Sequence, residues 1–200
     1  MFKRLLRWKK EHIYKIPNQY QGRIKKLYVL GDKKSWCNTE EMITWVKKSI
    51  FESELNSLQE TLDLPIKFIQ LIRNPFDVII SRKAMVDKKR GGNRNLSQWS
   101  RMYFQHHKIA KKLEKFCLTD ENFTFHKMYQ EELISEPKKQ LKELCEFLEV
   151  EPFSDYIKDC SSIIFDKPRK TSKSRDWLDE EKKFIYDEIF KHEELKHYVL

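Results

Sequence analysis

The chain has 200 residues, enough for one domain with a buried core. Its 13 Phe, 8 Tyr and 5 Trp exclude a disordered polypeptide. The formal charge of +9, from 40 Lys+Arg against 31 Asp+Glu, points to an acidic ligand, substrate, nucleic acid or membrane surface, but the bases are interleaved with acids, which disfavours a dedicated nucleic-acid face.

Residues 1–22 form a basic N-terminal segment with Trp8 and Tyr14. Phe2, Leu5, Leu6 and Trp8 fit a short amphipathic helix, either a stray terminal helix or one lying on a membrane surface. Met1–Lys10 has no apolar h-region, so no secretory signal is expected and the expected compartment is the cytoplasm; the Golgi lumen stays open if the natural chain starts further upstream. No apolar run approaches the length of a membrane span.

From residue 23 to 200 the pattern alternates between strands and helices. Ile24–Leu30 reads as a strand ending in Gly31-Asp32-Lys33-Lys34. Asn38–Leu62 reads as one helix, opened by a capping box of Asn38 with Glu41 and carrying Met42, Trp45, Val46, Ile50, Leu55, Leu58 and Leu62 at helical spacing. Phe68–Ile72 is the apolar run of a buried parallel strand. Arg73 follows, then Asn74-Pro75, an N-cap residue and a Pro at the first helical position. Asp77 falls in the first turn, where the helix dipole favours an anion. In open α/β sheets the carboxyl end of a strand is where ligands bind, and a guanidinium beside free N–H groups at a helix start is a phosphate site in outline. Ser81, about two helical turns on, adds a hydroxyl.

Lys83–Asn95 reads as a loop with a basic part, Lys88–Arg94. Ser97–Phe116 is a second amphipathic helix. Its neighbours His106 and His107 cannot share a helix face, which argues against a metal site there. Asn122–His126 is a third strand. Ser135 and Pro137 read as the cap and start of a helix with Leu141, Leu144, Cys145 and Leu148 on one face. The chain ends with a basic loop, Lys167–Arg175, then Trp177 and a last helix to about Lys191. Cys37, Cys117, Cys145 and Cys160 are widely spaced, with no zinc-type pair; Cys117 and Cys145 fall on apolar helix faces and read as buried thiols, and nothing demands an oxidising compartment.

Arg73-Asn74-Pro75-Phe76-Asp77-Val78-Ile79-Ile80-Ser81 resembles the 3′-phosphate signature of the sulfotransferase superfamily, which uses 3′-phosphoadenosine 5′-phosphosulfate (PAPS). A second landmark, Tyr129 to Pro137 followed by the Leu-Cys-Phe-Leu helix, is similar to a Tyr-Glu-Asp-Leu segment of the family, with Tyr129 one residue early and Gln130 in its place. The resemblance implies an α/β fold, a parallel sheet flanked by helices of the P-loop NTPase type. It implies that Arg73 and Ser81 hold the 3′-phosphate, helped by Arg169 and Lys170, with Arg175 competing for that role. Lys33, in the acidic-Lys pair Asp32-Lys33, would neutralise charge on the transferring sulfuryl group. No general base is identified and no metal is called for. The partners implied are PAPS, its product and a hydroxyl or amine acceptor.

The family's first βα unit, with the Gly-rich loop that cradles the 5′-phosphosulfate, is not found: Gly22, Gly31, Gly91 and Gly92 stand in no such context. The resemblance thus runs from about Ile24 to the C-terminus. Three expectations follow: a shortened chain or gene, a member that binds nucleotide without turnover, or a site completed by another subunit. A basic module for RNA or another polyanion is a further reading; it requires a continuous positive face.

Overall fold

A computed structural model describes residues 26, 28–31, 39–90 and 95–200. The basic segment 1–22, Asp32, Lys33 and the capping pair's Asn38 lie outside them.

Two helices open the described domain, α1 (Thr39–Lys47) and α2 (Phe51–Leu62). The single helix expected over Asn38–Leu62 is broken at Ser49, whose φ is 58°. The Ile50 N–H bonds the Trp45 carbonyl and the Ser49 N–H bonds that of Val46, the paired closure of a left-handed C-terminal cap. A strand follows, β1 (Ile66–Ile72), then α3 (Pro75–Arg90), α4 (Leu96–Cys117) and β2 (Phe123–Tyr129). The strands pair in parallel, Ile66 opposite Phe123 and Ile72 opposite Tyr129. Beyond β2 come α5 (Gln130–Ser135), α6 (Pro137–Phe147), α7 (Ser154–Ser162), a 3₁₀ turn at Thr171–Ser174, α8 (Asp179–Ile189) and a 3₁₀ turn at Glu193–Leu195. The expected class holds: α/β, with a parallel sheet, of two strands among the described residues, flanked by helices.

Several local expectations are corrected. Tyr28–Leu30, the apolar part of the strand expected over 24–30, form no strand, and Tyr28 and Leu30 are exposed. An apolar run becomes a strand only where a neighbouring chain takes its hydrogen bonds. Helix α3 continues to Arg90 through what read as a loop from Lys83. Lys, Arg, Ala and Met are good helix formers, and Lys83 pairs with Asp87 one turn on. Ser135 ends α5 rather than capping α6; its hydroxyl donates to the Glu132 carbonyl, and Pro137 alone marks the α6 start. Helix α7 had no forecast.

Helix α4 is capped by a reciprocal pair: Asn95 Oδ1 accepts from the Gln98 N–H at 2.9 Å, and the Asn95 N–H donates to Gln98 Oε1 at 3.1 Å. It spans two apolar clusters. One gathers Ile72, Phe76, Ile79, Trp99 and Phe104 with Trp177, Ile185 and Leu195 from the C-terminal region. The other joins Phe51 and Leu55 of α2 to Ile109, Leu113 and Phe123. The first cluster fastens the C-terminal segment against the carboxyl end of β1. Among the described residues no helix is long and apolar enough to cross a membrane.

Candidate functional site

The β1–α3 junction forms as the residues dictate. Asn74 Oδ1 accepts from the Phe76 N–H at 3.0 Å, its carbonyl accepts from the Val78 N–H, and Pro75 brings no N–H of its own. Much of the first turn is therefore capped by Asn74, so the open row of amides expected there is reduced. The Asn74 N–H donates to Glu131 Oε1 at 3.2 Å, and Glu131 Oε2 accepts from the Tyr198 hydroxyl at 2.8 Å. This ties the junction to α5 and to the chain's end.

Arg73 stands at the end of β1 with its side chain about one-fifth exposed. Its Nη2 donates to the Arg169 carbonyl at 2.6 Å and lies 3.9 Å from Asp77 Oδ2. Ser81 Oγ lies 2.9 Å from Thr171 Oγ1. The two side chains named from their spacing thus meet one loop at positions two residues apart. Arg169 and Lys170 on that loop are exposed, and the Arg169 guanidinium sits 5.0 Å over the Phe165 ring. Arg175 is engaged elsewhere: its Nη2 donates to Glu181 Oε2 at 2.7 Å. Lys33 lies outside the described residues.

Asp77, read from the sequence only as a favourable first-turn charge, is buried and fastens the loop. Its Oδ1 accepts from the Ser172 N–H at 2.7 Å and from Thr171 Oγ1 at 3.3 Å. The Trp177 indole closes the same turn by donating to the Ser172 carbonyl at 2.9 Å, while its ring meets Phe76 edge-on at 5.1 Å. A bond spanning 95 residues has no signal in local sequence.

Beside Arg73 opens a cleft of about 130 Å³, lined from β1 by Gln70 and Leu71, from α3 by Val78 and from α4 by Tyr103, His106 and His107. Burial raises the Tyr103 phenol well above its usual range, with Glu131 and Glu194 adding to the effect, so it stays protonated and donates toward the Arg73 carbonyl. Burial holds His107 down at about 4, against the upward pull of the hydrogen bond it donates to the Glu194 carboxylate. For Glu194 burial acts upward, but hydrogen bonds from its own backbone N–H and from His107 outweigh it and bring the carboxyl to about 2. At neutral pH this is a neutral imidazole donating to a carboxylate, and Gln70 Nε2 at 3.4 Å from His107 Nδ1 fits the same tautomer.

A parallel strand that ends on a guanidinium, a helix that follows at once and a returning loop with exposed bases define an α/β protein whose strand edge gathers positive charge. Residues 53–155, just over half of the chain, match the model of the Sulfotransferase family, and the chain belongs to that family. The matched region holds Arg73 and Ser81, whereas the loop at Arg169 lies beyond it. Comparison with curated proteins and with solved structures gave no match.

Proposed function

We propose that the chain uses PAPS to transfer a sulfuryl group to a hydroxyl or amine acceptor. The observation that supports this most is the meeting of Arg73 and Ser81 on the loop of Arg169 and Thr171. A guanidinium, hydroxyls and exposed bases are the donor set a dianionic phosphate takes. Arg73 and Ser81 hold the nucleotide's 3′-phosphate in this reading, and Arg169 and Lys170 add charge from the loop. Lys33, assigned from the sequence, neutralises the sulfuryl group during in-line displacement. PAPS supplies the activated sulfuryl group; the chain's own residues bind and orient it.

The test is transfer of labelled sulfuryl from PAPS to phenolic, sugar and amine acceptors by the full chain. Label in any acceptor, lost in Lys33→Ala, supports the reading. No label with any acceptor, while 3′,5′-adenosine bisphosphate still raises the melting temperature, supports a second reading: a module that binds nucleotide without turnover. One observation favours that second reading. Arg73 and Ser81 already bond to the loop, so ligand entry has to compete with internal contacts.

A further inference from the structure

Helix α4 and the C-terminal 3₁₀ turn bring together three side chains that sulfuryl transfer does not use. His107 lies on α4, His192 follows α8, and Glu194 is within the turn. A potential ligand atom of each lies within 4.8 Å of the other two. All three are buried, at 5, 8 and 9% exposure. His107 Nε2 is 2.8 Å from Glu194 Oε1, and the two imidazole rings meet edge-to-face at 4.6 Å. His192 Nε2 is buried without a hydrogen-bond partner, a cost that a folded chain ordinarily avoids.

We propose that His107, His192 and Glu194 bind a zinc ion that ties the end of the chain to α4. Two imidazoles and one carboxylate suit a borderline transition ion, whereas magnesium and calcium take oxygen donors. The ion gives the orphan nitrogen of His192 a partner. Ligand lengths near 2.0 Å set a ligand-to-ligand edge of about 3.3 Å in a tetrahedron, so the His107–Glu194 contact opens by about 0.5 Å to admit it. Glu194 Oε2 stays with the Lys111 ammonium, 3.3 Å away, leaving Oε1 for the ion. Gln70 completes the arrangement from β1. With its amide reversed, its oxygen accepts from His107 Nδ1–H and leaves Nε2 free to ligate. Water takes the fourth position.

The sequence shows none of this, because the ligands on α4 and at the chain's end are 87 residues apart. The cluster shares His107 with the cleft beside Arg73, but its test needs no nucleotide. The full chain, stripped with chelator, is titrated with zinc by calorimetry and melting, and with cobalt(II) by visible absorption. One zinc per chain, a raised melting temperature and the cobalt bands of a four-coordinate nitrogen–oxygen site are expected, with no effect of magnesium. His192→Ala empties a buried ring position, so the metal-free variant melts below the parent, and in the folded variant zinc affinity falls at least tenfold and the zinc-dependent rise in melting temperature is lost. Glu194→Gln, which keeps the shape, also weakens binding. Absence of zinc binding, or zinc bound equally well by His192→Ala, overturns the proposal.

Discussion

Arg73 Nη2 holds the carbonyl oxygen of Arg169 at 2.6 Å, so the side chain that ends β1 fixes the course of the backbone 96 residues later. Arg73→Ala removes both that bond and the charge proposed for the 3′-phosphate. A charge-assisted hydrogen bond contributes about 1.5–3 kcal/mol, so affinity for 3′,5′-adenosine bisphosphate should fall roughly 10- to 100-fold. Arg73→Lys keeps the charge without the planar fork and should fall in between. Melting curves with and without the nucleotide decide the matter; equal shifts in parent and Arg73→Ala would remove the nucleotide reading.

Asp77 makes a prediction about order rather than binding. Replacing it by Ala leaves the buried Ser172 N–H without an acceptor, a loss of about 1–3 kcal/mol. Asp77→Asn keeps an acceptor oxygen and should cost less. The freed loop carries exposed Arg169 and Lys170, so trypsin should cut there faster in Asp77→Ala than in the parent. Unchanged cutting at those two residues, alongside a lowered urea midpoint, would show that Asp77 supports the core and not the loop.

The β1–α3 unit was legible because its signals are local. Phe68 to Ile72 forms the expected strand, although Ile69 and Leu71 are exposed rather than buried, and Asn74-Pro75 starts a helix whatever surrounds it. The pairing of Arg73 with Ser81 was legible only through spacing and resemblance. What the sequence hid falls into two physical kinds. Some errors were local. Lys83–Arg90 looks like a solvated loop by charge but is helical by propensity, and Ser49 gives no glycine to betray its left-handed backbone. The others were long-range: Asp77 with Ser172, and His107 with Glu194, become partners only after the C-terminal segment docks. Tyr28–Leu30 shows the same dependence in reverse, since strand-forming residues without a ladder partner stay irregular.

Ser49 offers a stabilising substitution. At φ 58° a side chain with Cβ is strained, and glycine relieves about 1 kcal/mol. Glycine also adds freedom to the unfolded chain, so the net gain of Ser49→Gly is about 0.5 kcal/mol, or about 1–2 °C in melting temperature. Ser49→Val, β-branched at the same angle, should lose about 1–2 kcal/mol. Thermal melts of the pair give the sign; a gain from Val or a loss from Gly would mean that the break between α1 and α2 is not held in this left-handed turn.

Cys117 closes α4 and packs partly against the cluster around Phe51. Burial pushes its thiol up to about 11; a backbone hydrogen bond opposes it, and the carboxylates of Asp120 and Glu114 add smaller upward pushes. The thiolate is the nucleophile, so at pH 8 only about one part in a thousand of Cys117 is reactive. Alkylation by iodoacetamide should therefore be slow at pH 7 and speed up about tenfold per pH unit to near pH 10, approaching a plateau only above about 11. Peptide mapping separates Cys117 from the other three cysteines. Glu114→Gln removes one of the charges that raise the thiol and also frees Lys127, whose ammonium lies 2.7 Å from Glu114 Oε1. The loss of the Glu114 charge lowers the thiol's pKa, so the profile should move to lower pH. A rate at pH 7 matching a free thiol would show that α4 opens at its C-terminal end often enough to expose the sulfur.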